Sequence, residues 1–368
     1  MKPQLHQAGT HKLEFDTPIL CIDADAMDAN IASMSSFIGQ RGKQWRPHQK
    51  CHKTPEIARR QLEAGAIGVT CAKVSEAHVM ADGGVSDILI ANMIVGPPKV
   101  QSVVDLCRKA DPVITCDHYA QVEPLAAACA SAGVECRVVV EVDIGFNRVG
   151  VRPGRDSLEL ATAIDTLAGV KLAGIMGYEG HLSALEDPND KRRKINDAMN
   201  TLRHCRDALL KGGMCCDIVS AGGTGSYQIT SDCEGVTELQ AGGGIFADLY
   251  YQDRCGVACL TSALTVLATV VSRPSLERAI LDAGRKTLMP DIHPPIVKNL
   301  PDAKIAQFSA EHCRLTLGLE SRDLRIGDKV ELIVGYSDFA TVLHDRFHVF
   351  RNELLDDVWA IEGRGKLT

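Results

Sequence analysis

The chain has 368 residues, 45% of them hydrophobic and 24% charged, with a formal net charge of -7. That balance suits a protein that buries a sizeable core and excludes a disordered chain; the acidic net charge, with no cationic run beyond Lys191–Lys194, excludes nucleic acid as an expected partner. The length exceeds what one core usually fills, so a large domain of roughly 230–250 residues plus a smaller one is expected.

Met1–Asp16 carries no apolar run, and no later segment approaches about 18 uninterrupted apolar residues, so neither an export signal nor a membrane span is expected. The fourteen cysteines are scattered through apparent strands and helices without a CxxC pair. They read as thiols of a cytoplasmic protein rather than as disulfides or a structural zinc site.

Thr17–Asp23 is strand-like and precedes a helical stretch, Asp25–Gly39. From about Gln44 to Leu249, short β-branched runs alternate with amphipathic stretches, as βα units around a parallel sheet do. The runs centre on Trp45–Lys50, Ile67–Cys71, Asp87–Ala91, Pro112–Cys116, Arg137–Asp143, Val170–Tyr178, Asp217–Ala221 and Thr237–Ala241. Helices are expected over Thr54–Ala64, Tyr119–Ser131, Ser157–Leu167 and Lys191–Leu210. This is the length and count of a (β/α)8 TIM-type barrel, with an open doubly wound sheet as the other arrangement the pattern allows. After Cys255 the texture changes to apparent strands at Leu264–Val271, Arg278–Leu281, Lys329–Val334 and Phe347–Phe350, separated by polar and Pro-rich loops around Met289–Pro295. The expected division is a barrel over residues 24–255 and a smaller β domain built from residues 1–23 and 256–368, to whose sheet Thr17–Asp23 can add.

In the first barrel run, strand alternation sets Arg46, His48 and Lys50 on one face. Three titratable groups are no ordinary core, and a desolvated lysine at a strand's carboxyl end is what Schiff-base formation needs. A structural ion pair or an exposed loop position is the other reading of Lys50 that the spacing leaves open. Glycine turns follow the last two barrel runs, at Ala221–Ser226 and Ala241–Gly244, where barrels often seat a phosphate on backbone N–H groups. Gly223, Thr224, Gly242 and Gly243 are the expected contacts, with Thr224 and Ser226 adding hydroxyl donors. Arg148 sits in a glycine-flanked loop after the fifth run, available either to a cofactor ring or to Asp143. Tyr178, Glu179 and His181 end the sixth run and bring polar groups to the same mouth.

Several strings, in this order, carry a resemblance: TPILCIDADAMDANI at Thr17–Ile31, RPHQKCHKTPEIA at Arg46–Ala58, DILIANMIVGP at Asp87–Pro97, VDIGFNRVGV at Val142–Val151, SAGGTGSY at Ser220–Tyr227, ELQAGGGIFAD at Glu238–Asp248 and SAEHCRL at Ser309–Leu315. They resemble the D-threonine aldolase and D-serine dehydratase family, whose signature RPHxKTHK carries pyridoxal phosphate on the lysine after PHx. The resemblance implies an alanine-racemase-like barrel with a β domain, a homodimer, and Lys50 rather than Lys53 as the cofactor lysine, with Arg148 and Tyr178 beside the cofactor. It also implies a divalent metal, Mg or Mn, held by a His-x-Asp or His-x-Cys pair. In the matching stretch GYSDFATVLHD, Gly335–Asp345, Asp338 takes the second ligand position, but Tyr336 stands where the histidine belongs, which leaves His312 as a possible completing ligand.

The implied activity is cleavage of a D-3-hydroxy amino acid, of D-threonine or 3-hydroxyaspartate type, to glycine and an aldehyde. His181, or water held by the metal, is the expected base; the family's aldolases carry a further histidine where Ala184 stands here. A dehydratase giving a 2-oxo acid and ammonia is the alternative. A racemase and a non-catalytic cofactor carrier come after it, the carrier disfavoured by the residues beyond Cys255.

Overall fold

The computed structural model describes residues 7–368. Two compact units divide the chain: one runs to Ile31 and resumes over Gly243–Arg364, the other comprises Ala32–Gly242 and Gly365–Thr368. Strand β1 (Ile19–Asp23) is followed by helix α1 (Ala24–Gly39), within which the chain passes from one unit to the other.

The second unit is the barrel. Its strands are β2 (Gln44–Trp45), β3 (Val69–Cys71), β4 (Asp87–Met93), β5 (Asp111–Cys116), β6 (Cys136–Glu141), β7 (Val170–Met176), β8 (Ile218–Ala221) and β9 (Glu238–Leu239). Between them run α2 (Pro55–Glu63), α3 (Val74–Asp82), α4 (Pro97–Cys107), α5 (Tyr119–Ala132), α6 (Arg155–Asp165), α7 (Pro188–Lys211) and α8 (Tyr227–Thr230). All eight strands are parallel, in the order β2-β9-β8-β7-β6-β5-β4-β3. The two end strands meet through the bridge His48–Thr70 and the bonds from Ile67 N–H to Trp45 O and Thr70 N–H to Pro47 O, each 2.9 Å. The expected barrel is therefore what forms, and the open sheet is not.

Strands covered on both faces need apolar side chains throughout, which is why β6 reads Cys-Arg-Val-Val-Val-Glu and buries all but its arginine. Leu89, Val113, Val139, Ala173 and Met176 form one of its packed clusters, each larger side chain contributing roughly 1.5–3 kcal/mol by leaving water. Helix starts are signalled locally: proline opens α2, α4 and α7, and Asp187 caps α7 by accepting from Asn189 N–H at 2.8 Å. The buried face of α7, Ile195, Ala198, Met199, Leu202, Cys205 and Leu209, recurs at three- and four-residue steps.

The first barrel run departs from its expectation. Parallel pairing continues past Trp45 only through His48, whose N–H bonds Gln240 O at 3.0 Å, and a 3-10 turn, Gln49–Cys51, then takes over. Lys50 thus lies in a turn, not on the strand face shared by Arg46 and His48. Arg46 is also not part of a cationic cluster at the mouth. It is 2% exposed; its Nε reaches both oxygens of Glu238 at 2.9 and 3.0 Å, and Nη1 reaches Asp87 at 2.7 Å. Arg137 extends the network to Asp87 and Asp111, the first residues of β4 and β5, so these charges belong to the amino-terminal end of the barrel.

In the other unit, β10 (Leu264–Ser275), β11 (Arg278–Leu281), β12 (Ile296–Val297), β13 (Lys304–Phe308), β14 (Cys313–Thr316), β15 (Lys329–Ile333), β16 (Arg346–Arg351) and β17 (Leu354–Ala360) join β1 in a nine-stranded sheet, with short helices α9 (Arg285–Leu288) and α10 (Ser337–Thr341). As expected, β1 enters this sheet, antiparallel to β10 and parallel to β16. Phe15, Cys21, Leu267, Phe350 and Leu355 pack together there. No helix among the described residues is long and apolar enough to cross a membrane.

Arg46 provides a test of barrel closure. Replacing it by methionine strands the buried Glu238 carboxylate, and breaking a buried pair by removing one partner costs about 3–5 kcal/mol. Urea unfolding of Arg46→Met should show a loss of that size, and Glu238→Leu in the same chain should restore part of it. A loss under about 1 kcal/mol would mean that the network does not hold the barrel.

Candidate active site

The Lys50 turn is built from its neighbours. His48 Nδ1 accepts from the Lys50 N–H at 3.3 Å and so caps the turn, while Pro47 has no N–H to extend the ladder. The buried Gln49 amide donates to Pro47 O at 2.8 Å and to Gln61 Oε1 on α2 at 3.0 Å. Lys53, in the left-handed region with φ 54°, is buried in an ion pair with Glu76 at 3.2 Å. The two lysines of the motif therefore stand in different environments: Lys53 sits in a closed pair, Lys50 half-buried at the turn. Loss of hydration, and then the charges of Lys50, Lys53 and Arg148, hold the His48 imidazole well below its ordinary range; burial takes His52 down to about 3. Both rings are neutral at physiological pH, and His48 faces Lys50 and Arg148 together.

The loop after β6 presents Arg148. Its guanidinium lies 4.9 Å from the Phe146 ring centre and 5.5 Å from that of Tyr178. Asp143, the ion partner considered from sequence, is used otherwise: Oδ1 accepts from the N–H groups of Gly145 and Asn147, both at 3.0 Å. The carboxylate that meets Arg148 is the buried Glu141, at 3.6 Å.

After β7, Tyr178 stands edge-on to Phe146, with ring centres 5.8 Å apart. Glu179 turns inward, fully buried, and accepts from Ser226 Oγ at 2.6 Å, Thr230 Oγ1 at 2.5 Å and Gly222 N–H at 3.3 Å. It is the anchor of the glycine turn after β8, a role the sequence reading did not assign. His181 is exposed, stacks on Phe146 at 5.5 Å, and lines a shallow cavity of about 270 Å³ with Lys194, Asp197 and Thr201. Loss of hydration lowers its pKa.

The glycines explain how closely these loops approach. A Cβ on Gly223 would stand 3.0 Å from the Tyr178 ring, and one on Gly242 would stand 2.1 Å from His48 O. Only glycine lets the turn after β9 lie against the end of β2. The barrel mouth thus gathers Lys50, His48, Arg148, Tyr178, Gly223 and Gly242, with Thr224 buried in the same glycine turn.

The remaining expected residues lie in the other unit. Gly243 begins it, backed by the Tyr251 ring. Tyr336 Oη donates to Asp338 Oδ2 at 3.0 Å, and His312 is exposed at the β13–β14 turn, its carbonyl accepting from Ser309 N–H at 2.9 Å. Beneath Tyr336 and Asp338, buried Asp248 accepts from Ser337 N–H at 2.8 Å, Ser337 Oγ at 2.6 Å and Tyr251 N–H at 3.2 Å; burial pushes it up to about 7. Asp248 lies in a motif noted in the sequence, yet nothing local to that motif reveals its bond to a serine 89 residues later. Among the described residues no group of three or more His, Cys, Asp or Glu is arranged to hold a metal ion.

The comparisons with known proteins agree with this architecture. The family model for the alanine racemase N-terminal domain matches residues 22–249, and that for a putative serine dehydratase domain matches residues 263–350. A D-threonine aldolase of Arthrobacter sp is 34% identical, with 99% of this chain and 96% of that protein covered. A 3-hydroxy-D-aspartate aldolase of Paracoccus denitrificans (strain Pd 1222) is 32% identical over 97% of this chain and 94% of that one. Among solved structures, D-threonine aldolase from Filomicrobium marinum superposes with a TM-score of 0.95 at 32% identity, covering 99% of this chain and 100% of that one. D-threo-3-hydroxyaspartate dehydratase from Delftia sp. HT23 gives 0.86 at 26%, covering 95% and 98%. With a family model spanning well over half of the sequence and relatives matched along nearly their whole length, the chain belongs to the alanine-racemase-like family, alongside the D-threonine aldolases.

Proposed function

We propose that the protein is a pyridoxal-phosphate-dependent lyase that cleaves D-3-hydroxy amino acids between Cα and Cβ, giving glycine and an aldehyde. The observation that carries this reading is full-length likeness to a D-threonine aldolase in sequence and in structure. The fold and these relatives imply pyridoxal phosphate, and the barrel mouth fits it. Gly223 and Gly242 have no room for a side chain, so the glycine turns after β8 and β9 can bring backbone close to a phosphate, with Thr224 beside them; the Gly223 N–H itself donates to Ser226 Oγ at 3.1 Å. Arg148 brings a cation beside Tyr178, and Lys50 is the lysine of the motif not closed into an ion pair with Glu76.

When bound, the cofactor supplies an electron sink for negative charge arising at Cα. Lys50 carries it and moves a proton at its Nζ. Arg148 and Tyr178 wall the site, and neutral His48 adds no charge between the two cations. His181 takes the proton of the substrate's β-hydroxyl. The ligand set Asp338, Tyr336 and His312 fits Mg or Mn poorly: the phenol proton of Tyr336 points at Asp338 Oδ2, and a neutral phenol is a weak ligand for a hard ion. No step is assigned to a metal here. A cytoplasmic homodimer belongs to the same proposal, supported by the mostly buried cysteines and by the family likeness. The dehydratase reading is kept because a D-threo-3-hydroxyaspartate dehydratase of Delftia sp. (strain HT23) is 33% identical over 74% of this chain.

Two measurements test this. Purified protein given D-threonine or D-3-hydroxyaspartate with pyridoxal phosphate and Mn²⁺ should form glycine, Lys50→Ala should form none, and His181→Ala should lose roughly 10²-fold or more. A 2-oxo acid would move the assignment to dehydratase, and a chelator that abolishes turnover would show that a divalent ion is required despite Tyr336. Separately, Glu179→Ala leaves the Ser226, Thr230 and Gly222 donors without their acceptor, so the dissociation constant for pyridoxal phosphate should rise by about tenfold, roughly 1.4 kcal/mol. An unchanged constant in a cofactor titration would remove the turn after β8 from the phosphate site.

A further inference from the structure

Glu141 ends β6 inside the barrel mouth, and no role in the proposed reaction uses it. Its side chain is 4% exposed, while that of Arg148, its ion partner at 3.6 Å, is 49% exposed. The carboxylate is thus covered from solvent and the guanidinium is not.

The loop that brings them together is fixed at both ends. Val151 N–H bonds Glu141 O at 2.9 Å, and Asp143 N–H bonds Val151 O at 3.0 Å, so the chain leaves and returns beside Glu141. Gly150 N–H donates to Asp117 Oδ2 at 2.9 Å, and Gln121 Nε2 donates to Asp117 Oδ1 at 2.7 Å. Asp143 is spent on Gly145 and Asn147. Glu141 is therefore the acid left to hold Arg148 against the rings of Phe146 and Tyr178.

We propose that Glu141 is a positioning residue for the cofactor site: it holds the Arg148 guanidinium against the Tyr178 ring and, by gaining or losing its own proton, changes the net charge that the Glu141–Arg148 pair presents to the mouth. The inference rests on the reading that Lys50 carries pyridoxal phosphate.

The groups facing Glu141 come from two elements: Arg148 and Asp143 from its own loop, and Cys116 and Asp117 from the end of β5. The charges of Arg148 and Lys50 both act on His48, which follows β2, and Arg148 lies over the ring of Tyr178, which follows β7. Burial pushes Glu141 up to about 7, against the pull of Arg148 and with the help of Asp117 and Asp143. Below that pH the carboxyl is neutral and the pair adds a full positive charge to the mouth that also holds Lys50, which opposes protonation of the lysine nitrogen. Above it the pair is neutral and that opposition is relieved. The sign for folding follows separately: the native state keeps a proton that the unfolded chain releases near the ordinary carboxyl pKa of 4.5, so this group's contribution to stability falls as pH rises from about 4.5 to 7 and is level above.

The test uses Glu141→Gln, which keeps shape and removes the titration, and Glu141→Asp, which keeps the acid. In the holoenzyme, the pH profile of kcat/KM for D-threonine and the cofactor absorbance should each show a limb with a midpoint near pH 7 in wild type. That limb should vanish in Glu141→Gln and should return, shifted, in Glu141→Asp. A limb that survives in Glu141→Gln overturns the proposal. Thermal unfolding of the apoprotein isolates it from the cofactor reading: the Tm of wild type minus that of Glu141→Gln should fall between pH 5 and 7.5, and a difference independent of pH overturns the proposal whatever Lys50 does. Lys50→Ala, run in parallel, reports on the lysine alone, since a cofactor spectrum identical to wild type would sink the Lys50 reading while leaving the apoprotein result to judge Glu141.

Discussion

The barrel closes on a strand two residues long, and the site depends on how that closure is achieved. Burying an arginine is costly unless its charge is matched, and Arg46 is matched by Glu238 on β9 and Asp87 on β4. These bonds tie β2 to strands on either side of the barrel seam at its amino-terminal end. Four residues later the same segment carries Lys50. Between them Pro47 and His48 end the ladder and turn the chain, so one short stretch supplies both the charge that holds the barrel and the amine offered at its mouth. Gly242, pressed on the His48 carbonyl, brings the turn after β9 to that point.

The electrostatics of the mouth follow from this geometry. Loss of hydration first, and then the charges of Lys50, Lys53 and Arg148, keep the His48 ring uncharged. Lys53 is neutralised by Glu76, whose second oxygen accepts from Ala72 N–H at 2.7 Å. Lys50 stands half-buried in its turn, and Arg148 has Glu141 at 3.6 Å. Carboxylates hold the loops here: buried Glu179 holds the turn after β8, and the partly buried Asp117 and Asp143 hold the Arg148 loop. A carboxylate that accepts several N–H or O–H bonds fixes a loop at a defined position, which catalytic geometry requires more than stability does.

How much of this was legible in the sequence depended on whether the signal was periodic. The eight barrel runs were readable because strands buried on both faces must be apolar along their length, and Thr17–Asp23 was readable as a ninth because its apolar character had no helix to serve. Strands β12, β13, β14 and β17 were missed. Two-residue β12 is too short for any period, and β13, Lys-Ile-Ala-Gln-Phe, lies largely exposed at a sheet edge. The residue types at the mouth were legible from their motifs, but their partners were not. Alternation carried Lys50 onto a strand because nothing in the spacing announces that His48 will accept the Lys50 N–H. For Arg148 the sequence left a cofactor ring or Asp143 open, whereas Asx-turn chemistry claims Asp143 for the loop itself and leaves Glu141, seven residues away, as the ion partner.

The β-domain loop shows where family likeness and local chemistry part. The aldolase-type pairing sets a histidine two residues before the aspartate, and here Tyr336 bonds Asp338 directly. A histidine in that position offers a lone pair to a metal; a phenol offers a proton to the carboxylate. Substituting one for the other converts a pair of ligands into a donor and its acceptor, and the ring of Tyr336 packs edge-on against those of Tyr250 and Phe339, each at 5.3 Å. Asp248 holds the backbone of Ser337 between them, so Tyr336 and Asp338 are fixed at their hydrogen-bonding distance. Whatever the loop contributes to catalysis is reached from a bonded phenol and carboxylate, and a metal bound through Asp338 Oδ2 would have to displace that proton.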